Sequence, residues 1–109
     1  MRLFRVRGRS MLPTLHDGDY VIGRRYRVGR SRLNSGQVVC VDHPDLGWLI
    51  KRVGKLSDAG VQLLSDGQTG NEHLGYIQHD DVRYLANIRI GKRGVQRIRP
   101  ASQHTQELT

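Results

Sequence analysis

The chain has only one cysteine in 109 residues, Cys40, so no disulfide can form within it. That cysteine sits in Val38-Val39-Cys40-Val41, a setting that suits a small buried apolar side chain better than a reactive thiol. Long apolar runs are also missing: stretches such as Val38 to Val41 and Trp48 to Ile50 fall far short of the roughly 20 residues that cross a bilayer. The amino terminus, Met1-Arg-Leu-Phe-Arg-Val-Arg, alternates basic and apolar residues and lacks the continuous apolar core of a secretory signal. No transmembrane anchor and a cytoplasmic location are therefore expected. Aromatic residues are few, one Trp, four Tyr and one Phe, and offer little surface for stacking nucleic-acid bases. No helix-turn-helix pattern is present. His43, His73, His79 and His104 have no metal-ligand spacing that Cys40 or the acidic residues complete, so neither metal nor other cofactor is expected.

What the chain does have is positive charge and short strands. Its net charge of +8, mostly from arginine, would attract nucleic acid, an anionic membrane surface or acidic polypeptide without selecting among them. Phe4, Val6 and Gly8 alternate with Arg5, Arg7 and Arg9 in the period-two pattern of a half-buried strand. Asp17-Gly18-Asp19 and Asn34-Ser35-Gly36 read as turns into the apolar runs Tyr20 to Ile22 and Val38 to Val41. His43 to Gly47 is a turn before Trp48 to Val53, and Asp58-Ala59-Gly60 closes a hairpin onto Val61 to Leu64. Val82, Tyr84, Ala86, Ile88 and Ile90 alternate strictly and predict one continuous buried face. Beyond Gly91 the pattern dissolves. A mostly β domain over residues 1–91 with a flexible basic and polar tail over 92–109 is the expected organisation.

Two residues stand out chemically. Ser10 follows a strand and Gly8, and the turn Ser10-Met11-Leu12-Pro13-Thr14 closes on a proline, which can expose a hydroxyl beside backbone N–H groups able to stabilise an oxyanion. A serine in such a turn can equally be a structural cap. Lys51 shares a strand face with Leu49 and Val53. Burial disfavours an ammonium, and a neutral amine can take a proton from a serine, as histidine does in the better-known triad. A structural lysine would instead snorkel to water. His16, followed by Asp17 and Asp19, is better read as part of a turn than of a triad.

Ser10-Met11-Leu12-Pro13-Thr14-Leu15, then Gly18-Asp19-Tyr20-Val21, then Lys51-Arg52-Val53 resemble, in order, the boxes of type I signal peptidases and LexA-like peptidases. The resemblance covers about residues 6–77 and is greatest to short, anchorless members, including those assigned to maturing nickel superoxide dismutase. It implies a mostly β, complex barrel, with Ser10 as nucleophile, Lys51 as general base and a polypeptide substrate cut after a small residue. It also implies substrate contacts at Gly8, Met11 and Leu12, and an oxyanion or lysine-orienting role for Met11 or Thr69. Departures from the family pattern concern the last box, Ser65 to Gly75, where the usual acidic-basic pair is not recognisable. At Gly8, where some members carry a second oxyanion-stabilising hydroxyl, only backbone donors remain. Ala59-Gly60, which is similar to the bond LexA-like proteins cut in themselves, lies after Lys51 and is read as a turn. The competing functions are a non-catalytic regulatory or nucleic-acid-binding relative and a peripheral protease held on anionic lipid.

Overall fold

A computed structural model describes residues 1–67 and 75–100. Strands dominate: β1 (Arg2–Arg5), β2 (Tyr20–Arg25), β3 (Val38–His43), β4 (Gly47–Ser57), β5 (Gly60–Leu64), β6 (Tyr76–Ile77), β7 (Val82–Gly91) and β8 (Gly94–Arg97). A single 3-10 turn, His79–Asp81, precedes β7. Among the described residues every pairing is antiparallel, in the order β1-β2-β7-β3-β4-β5-β6, with β8 added to β7.

The apolar run of β3 shows how this sheet is buried. Val39 and Val41 enter one core with Tyr26, Val53, Val61, Leu63, Ile77, Val82 and Leu85, whereas Val38 and Cys40 enter a second with Val6, Met11, Leu15, Val21 and Ala86. Successive side chains of a strand point to opposite faces, so a strand covered on both sides reads as an uninterrupted apolar run. A segment this apolar is stable only at the centre of the sheet, and there it lies, between β7 and β4.

Strand β7 corrects the expected continuous face. Cys40 pairs with Tyr84 but Val41 with Val82, leaving Arg83 as an extra residue. This bulge sends Val82 to the first core while Tyr84 packs against the second. Another irregularity pairs Ile22 with Ile88 and Gly23 with Ala86. The same bulges add local twist, which helps curl the sheet. The sheet also runs past Gly91, because β8 folds back to pair Gly94 with Gly91 and Arg97 with Ile88.

The expected barrel is not closed. The hydrogen-bonded path of described strands ends at β1 on one side and β6 on the other. Side chains rather than backbone span the space between β1 and β4: the Phe4 and Trp48 rings are 5.3 Å apart, and both touch Tyr84, at 5.4 and 6.2 Å. The gap beside these rings is the cleft described next.

Candidate active site

Ser10 is held in place by its neighbours in sequence. Met11 and Leu15 are buried in the second core beside Val6, pinning both sides of the turn and leaving Ser10 half-buried at its rim. The turn is closed by the Leu15 amide donating to the Met11 carbonyl (2.9 Å) and the Leu12 amide to Arg9 (3.2 Å). Its base is fastened by Val6 N–H to Asp19 O (2.7 Å) and Gly18 N–H to Val6 O (2.8 Å). Gly8 has φ +82, a conformation glycine adopts without a Cβ penalty, and its amide donates to the Asp17 carboxylate at 2.8 Å. Among the described residues, neither the Ser10 nor the Met11 amide donates to an acceptor within the chain.

Lys51 projects from β4 and is 7% exposed. Its Nζ donates to Ser65 Oγ at 3.0 Å. The adjacent Arg52, equally buried, points to the other face of the strand and forms a two-armed ion pair with Asp66, Nε to Oδ1 at 3.0 Å and Nη2 to Oδ2 at 2.5 Å. Arg52 Nη1 also donates to the carbonyls of Gly36 (2.8 Å) and Arg99 (3.0 Å). Two consecutive residues of β4 thus engage two consecutive residues after β5, one pair on each face.

The ion pair reaches the serine turn. Thr14 Oγ1 donates to Asp66 at 2.5 Å and accepts from Arg52 Nη2 at 3.2 Å, while the Thr14 carbonyl accepts from Arg89 at 3.1 Å. One residue beyond Asp66, the Gly67 amide donates to the Ser10 carbonyl at 2.7 Å. The segment Ser65-Asp66-Gly67 therefore joins the lysine, its arginine neighbour and the serine turn.

Ser10 and Lys51 line one cavity of about 290 Å³, with Phe4, Val6, Met11 and Ile50 among its apolar walls. Of the residues expected to meet substrate, Met11 contributes to this lining; Gly8 and Leu12 lie outside it. Thr69 lies outside the described residues. An acidic-basic pair does stand beside the lysine, Arg52–Asp66, formed across two segments rather than within the last box, and Ser65 places a hydroxyl on Lys51; sequence reasoning missed both. The available signal was the position of Ser65-Asp66 at the end of the Val61 to Leu64 run, opposite Lys51-Arg52 in the hairpin. His16, with a side chain 60% exposed 3.9 Å from Asp19, does not line the cavity. His43 Nδ1 accepts the amides of Asp45 (3.1 Å) and Leu46 (3.2 Å), a turn-capping role. Ala59 lies in the tight β4–β5 turn, where Ser57 pairs with Gly60. Cys40 is buried, and burial pushes its thiol pKa up to about 12.

The β scaffold thus brings a turn-borne serine and a buried lysine to one cleft. A family model described as signal peptidase, peptidase S26, matches residues 1–73, the span that carries every one of these side chains. The chain belongs to that family, and its general class is that of a signal-peptidase-like protease. Neither a curated protein nor a solved structure gives a match. Among the described residues, no helix is long and apolar enough to cross a membrane.

Proposed function

We propose that the protein is a serine endopeptidase in which Ser10 is the nucleophile and Lys51 the general base, acting on an exposed, extended leader or propeptide segment after a small residue. The observation that carries this reading is the shared cavity of Ser10 and Lys51, with the lysine amine directed by Ser65. Ser10 Oγ attacks the scissile carbonyl carbon while its proton passes to a neutral Lys51 Nζ. The resulting ammonium protonates the departing amine, and the acyl-serine is hydrolysed by a water that Lys51 deprotonates in turn. The amides of Ser10 and Met11 are the donors on hand for the oxyanion. A substrate strand fits the gap between β1 and β4, where no backbone pairing intervenes among the described strands.

The test incubates wild type, Ser10→Ala, Lys51→Ala, Lys51→Arg and His16→Ala with a peptide carrying alanine before the scissile bond, across mildly acidic to alkaline pH. Cleavage is followed by mass spectrometry and folding by circular dichroism. Activity is expected to rise with pH as Lys51 loses its proton, and to be nearly abolished by the first three substitutions but not the fourth. Arginine keeps the charge but does not deprotonate, so it separates a base from an electrostatic role. Wild-type rates in Lys51→Arg would overturn the assignment. Peptide binding by every chain with cleavage by none would favour the non-catalytic relative.

A further inference from the structure

A second, larger cavity of about 570 Å³ shares Trp48 with the cleft that holds Ser10. It is formed where several strand ends meet: Arg2 from β1, Arg25 from β2 and Arg27 just after it, Asp42 from β3, Trp48 from β4 and Arg83 from β7. Four arginines thus surround one space. The acidic residues on its lining are Asp42 and Asp80. Among the described residues, the ion pairs within 4.0 Å are His16–Asp19 and Arg52–Asp66, so none of the four arginines is in such a pair, and they outnumber the two carboxylates of the lining. Arg2 is stacked instead, its guanidinium 4.8 Å from the Trp48 ring centre and 5.1 Å from that of Phe4. Tyr26 adds a phenol that burial, and then the charge of Asp80, hold in its neutral, donor-bearing form.

Such a space has an excess of planar, forked donors, which suit carboxylates and phosphates alike, and its continuity with a peptide-sized cleft favours the carboxylates of a polypeptide. Its bulge residue, Arg83, is held outward because Tyr26 N–H is bonded to the Arg83 carbonyl at 2.8 Å. Trp48 lines both cavities, so the clefts adjoin along β4. From Lys51 to Trp48 is three residues, about 10 Å of extended chain at roughly 3.3 Å per residue.

We propose that the arginine-lined cavity is a subsite for an acidic segment of the polypeptide substrate, placing Asp or Glu side chains about three to five residues from the scissile bond. This rests on the peptidase reading above. It explains what the charge alone does not: why arginines converge on the continuation of the cleft. An extended peptide lying in the first cleft is led past Trp48 into the second.

The test uses alanine-containing peptides extended on either side of the scissile position by three aspartates, with asparagine-matched controls. Binding is measured by fluorescence anisotropy to the full chain carrying Ser10→Ala, which leaves peptide intact. Cleavage is measured with Ser10 in place. One aspartate peptide is expected to bind about tenfold tighter than its control, about 1.4 kcal/mol. That preference should fall to within about twofold when Arg25→Gln and Arg83→Gln are combined, and weaken with added salt. It should survive Arg93→Gln with Arg97→Gln, which remove the same charge from the β7–β8 hairpin. Thermal melting establishes that each variant is folded. Equal binding of aspartate and asparagine peptides, or a preference that survives loss of Arg25 and Arg83, overturns the subsite even if cleavage proceeds. Arginine-dependent binding of the aspartate peptide without cleavage of any peptide upholds the acidic-segment site and removes the peptidase reading. Binding of duplex DNA or phosphatidylserine vesicles through Arg25 and Arg83, with no preference among the peptides, also overturns it.

Discussion

Gly67 donates its amide hydrogen to the carbonyl of Ser10 at 2.7 Å, so the strand end that carries Ser65 and Asp66 supports the serine turn from beneath. The approach is close enough that a Cβ on Gly67 would stand 2.5 Å from the Arg9 carbonyl oxygen and 3.2 Å from that of Ser10. Both obstacles are backbone and cannot swing aside.

Gly67→Ala is therefore expected to displace the Ser10 turn, at a cost of about 1–3 kcal/mol for the overpacked contact. Peptide cleavage should fall at least about tenfold, because misplacement of a reacting group by a fraction of an ångström is already costly. Urea unfolding together with kcat measures both; an alanine variant of wild-type activity would show that the turn is not held there.

Ser65→Ala removes the hydroxyl that accepts from Lys51 Nζ. If Lys51 is the base proposed above, a kcat lowered by about 10- to 100-fold with a small change in KM is expected, since Ser65 bonds its amine and does not line the cavity. Ser65→Thr, which keeps a hydroxyl, should recover part of the loss. Thr69→Ala should act less than Ser65→Ala; the reverse order in the same assay would assign the orienting role to Thr69.

Asp66→Ala strips a buried guanidinium of its partner, Arg52 and Asp66 having side chains 8% and 16% exposed. Loss of one member of such a pair costs about 3–5 kcal/mol, much of it from the charge left behind. Thr14 would also lose its acceptor. Thermal and urea unfolding should show the drop, with Asp66→Asn intermediate because an amide oxygen still accepts one bond.

Cys40 should resist a thiol reagent in the native state and react once the chain is unfolded. Its folded pKa, raised by burial from 9.0 to about 12, sets the sign of a pH effect. Below about pH 9 both states hold the proton and Cys40 contributes no pH dependence. Between about 9 and about 12 the unfolded thiol ionises and the buried one does not, so stability falls by up to about 1.4 kcal/mol per pH unit. The difference in urea unfolding between wild type and Cys40→Ala, followed from pH 8 to 11, isolates this contribution.

Much of the fold and half of the site could be read from local pattern. Turn residues separated the runs that became β2 to β5, and the uninterrupted apolar stretch Val38 to Val41 marked a strand buried on both faces. Ser10 was visible from its place in a glycine- and proline-bounded turn, and Lys51 because a lysine on an apolar strand face breaks the local rule. Alternation failed on β7, where the bulge at Arg83 reverses which side chains share a face.

The partners of Lys51 and Arg52 were decided by tertiary structure through one irregularity. The β4–β5 hairpin starts from Ser57 opposite Gly60, and an unbroken register from that turn would bring Asp66 opposite Lys51 and Ser65 opposite Arg52. The ladder slips by one residue between Val53 and Leu56, where the side chain of Gln62 accepts the Lys55 amide at 3.0 Å in place of a backbone bond. A one-residue slip moves every later side chain to the other face, so Ser65 meets the lysine and Asp66 joins the arginine's face. Turn chemistry marks Ser10 and periodicity along one strand marks Lys51; register across two strands depends on a bulge that no single-strand pattern records. Barrel closure was decided in the same way. Phe4, Trp48 and Tyr84 are ordinary aromatic residues in sequence, and their packing spans the unpaired space between β1 and β4 beside the cleft.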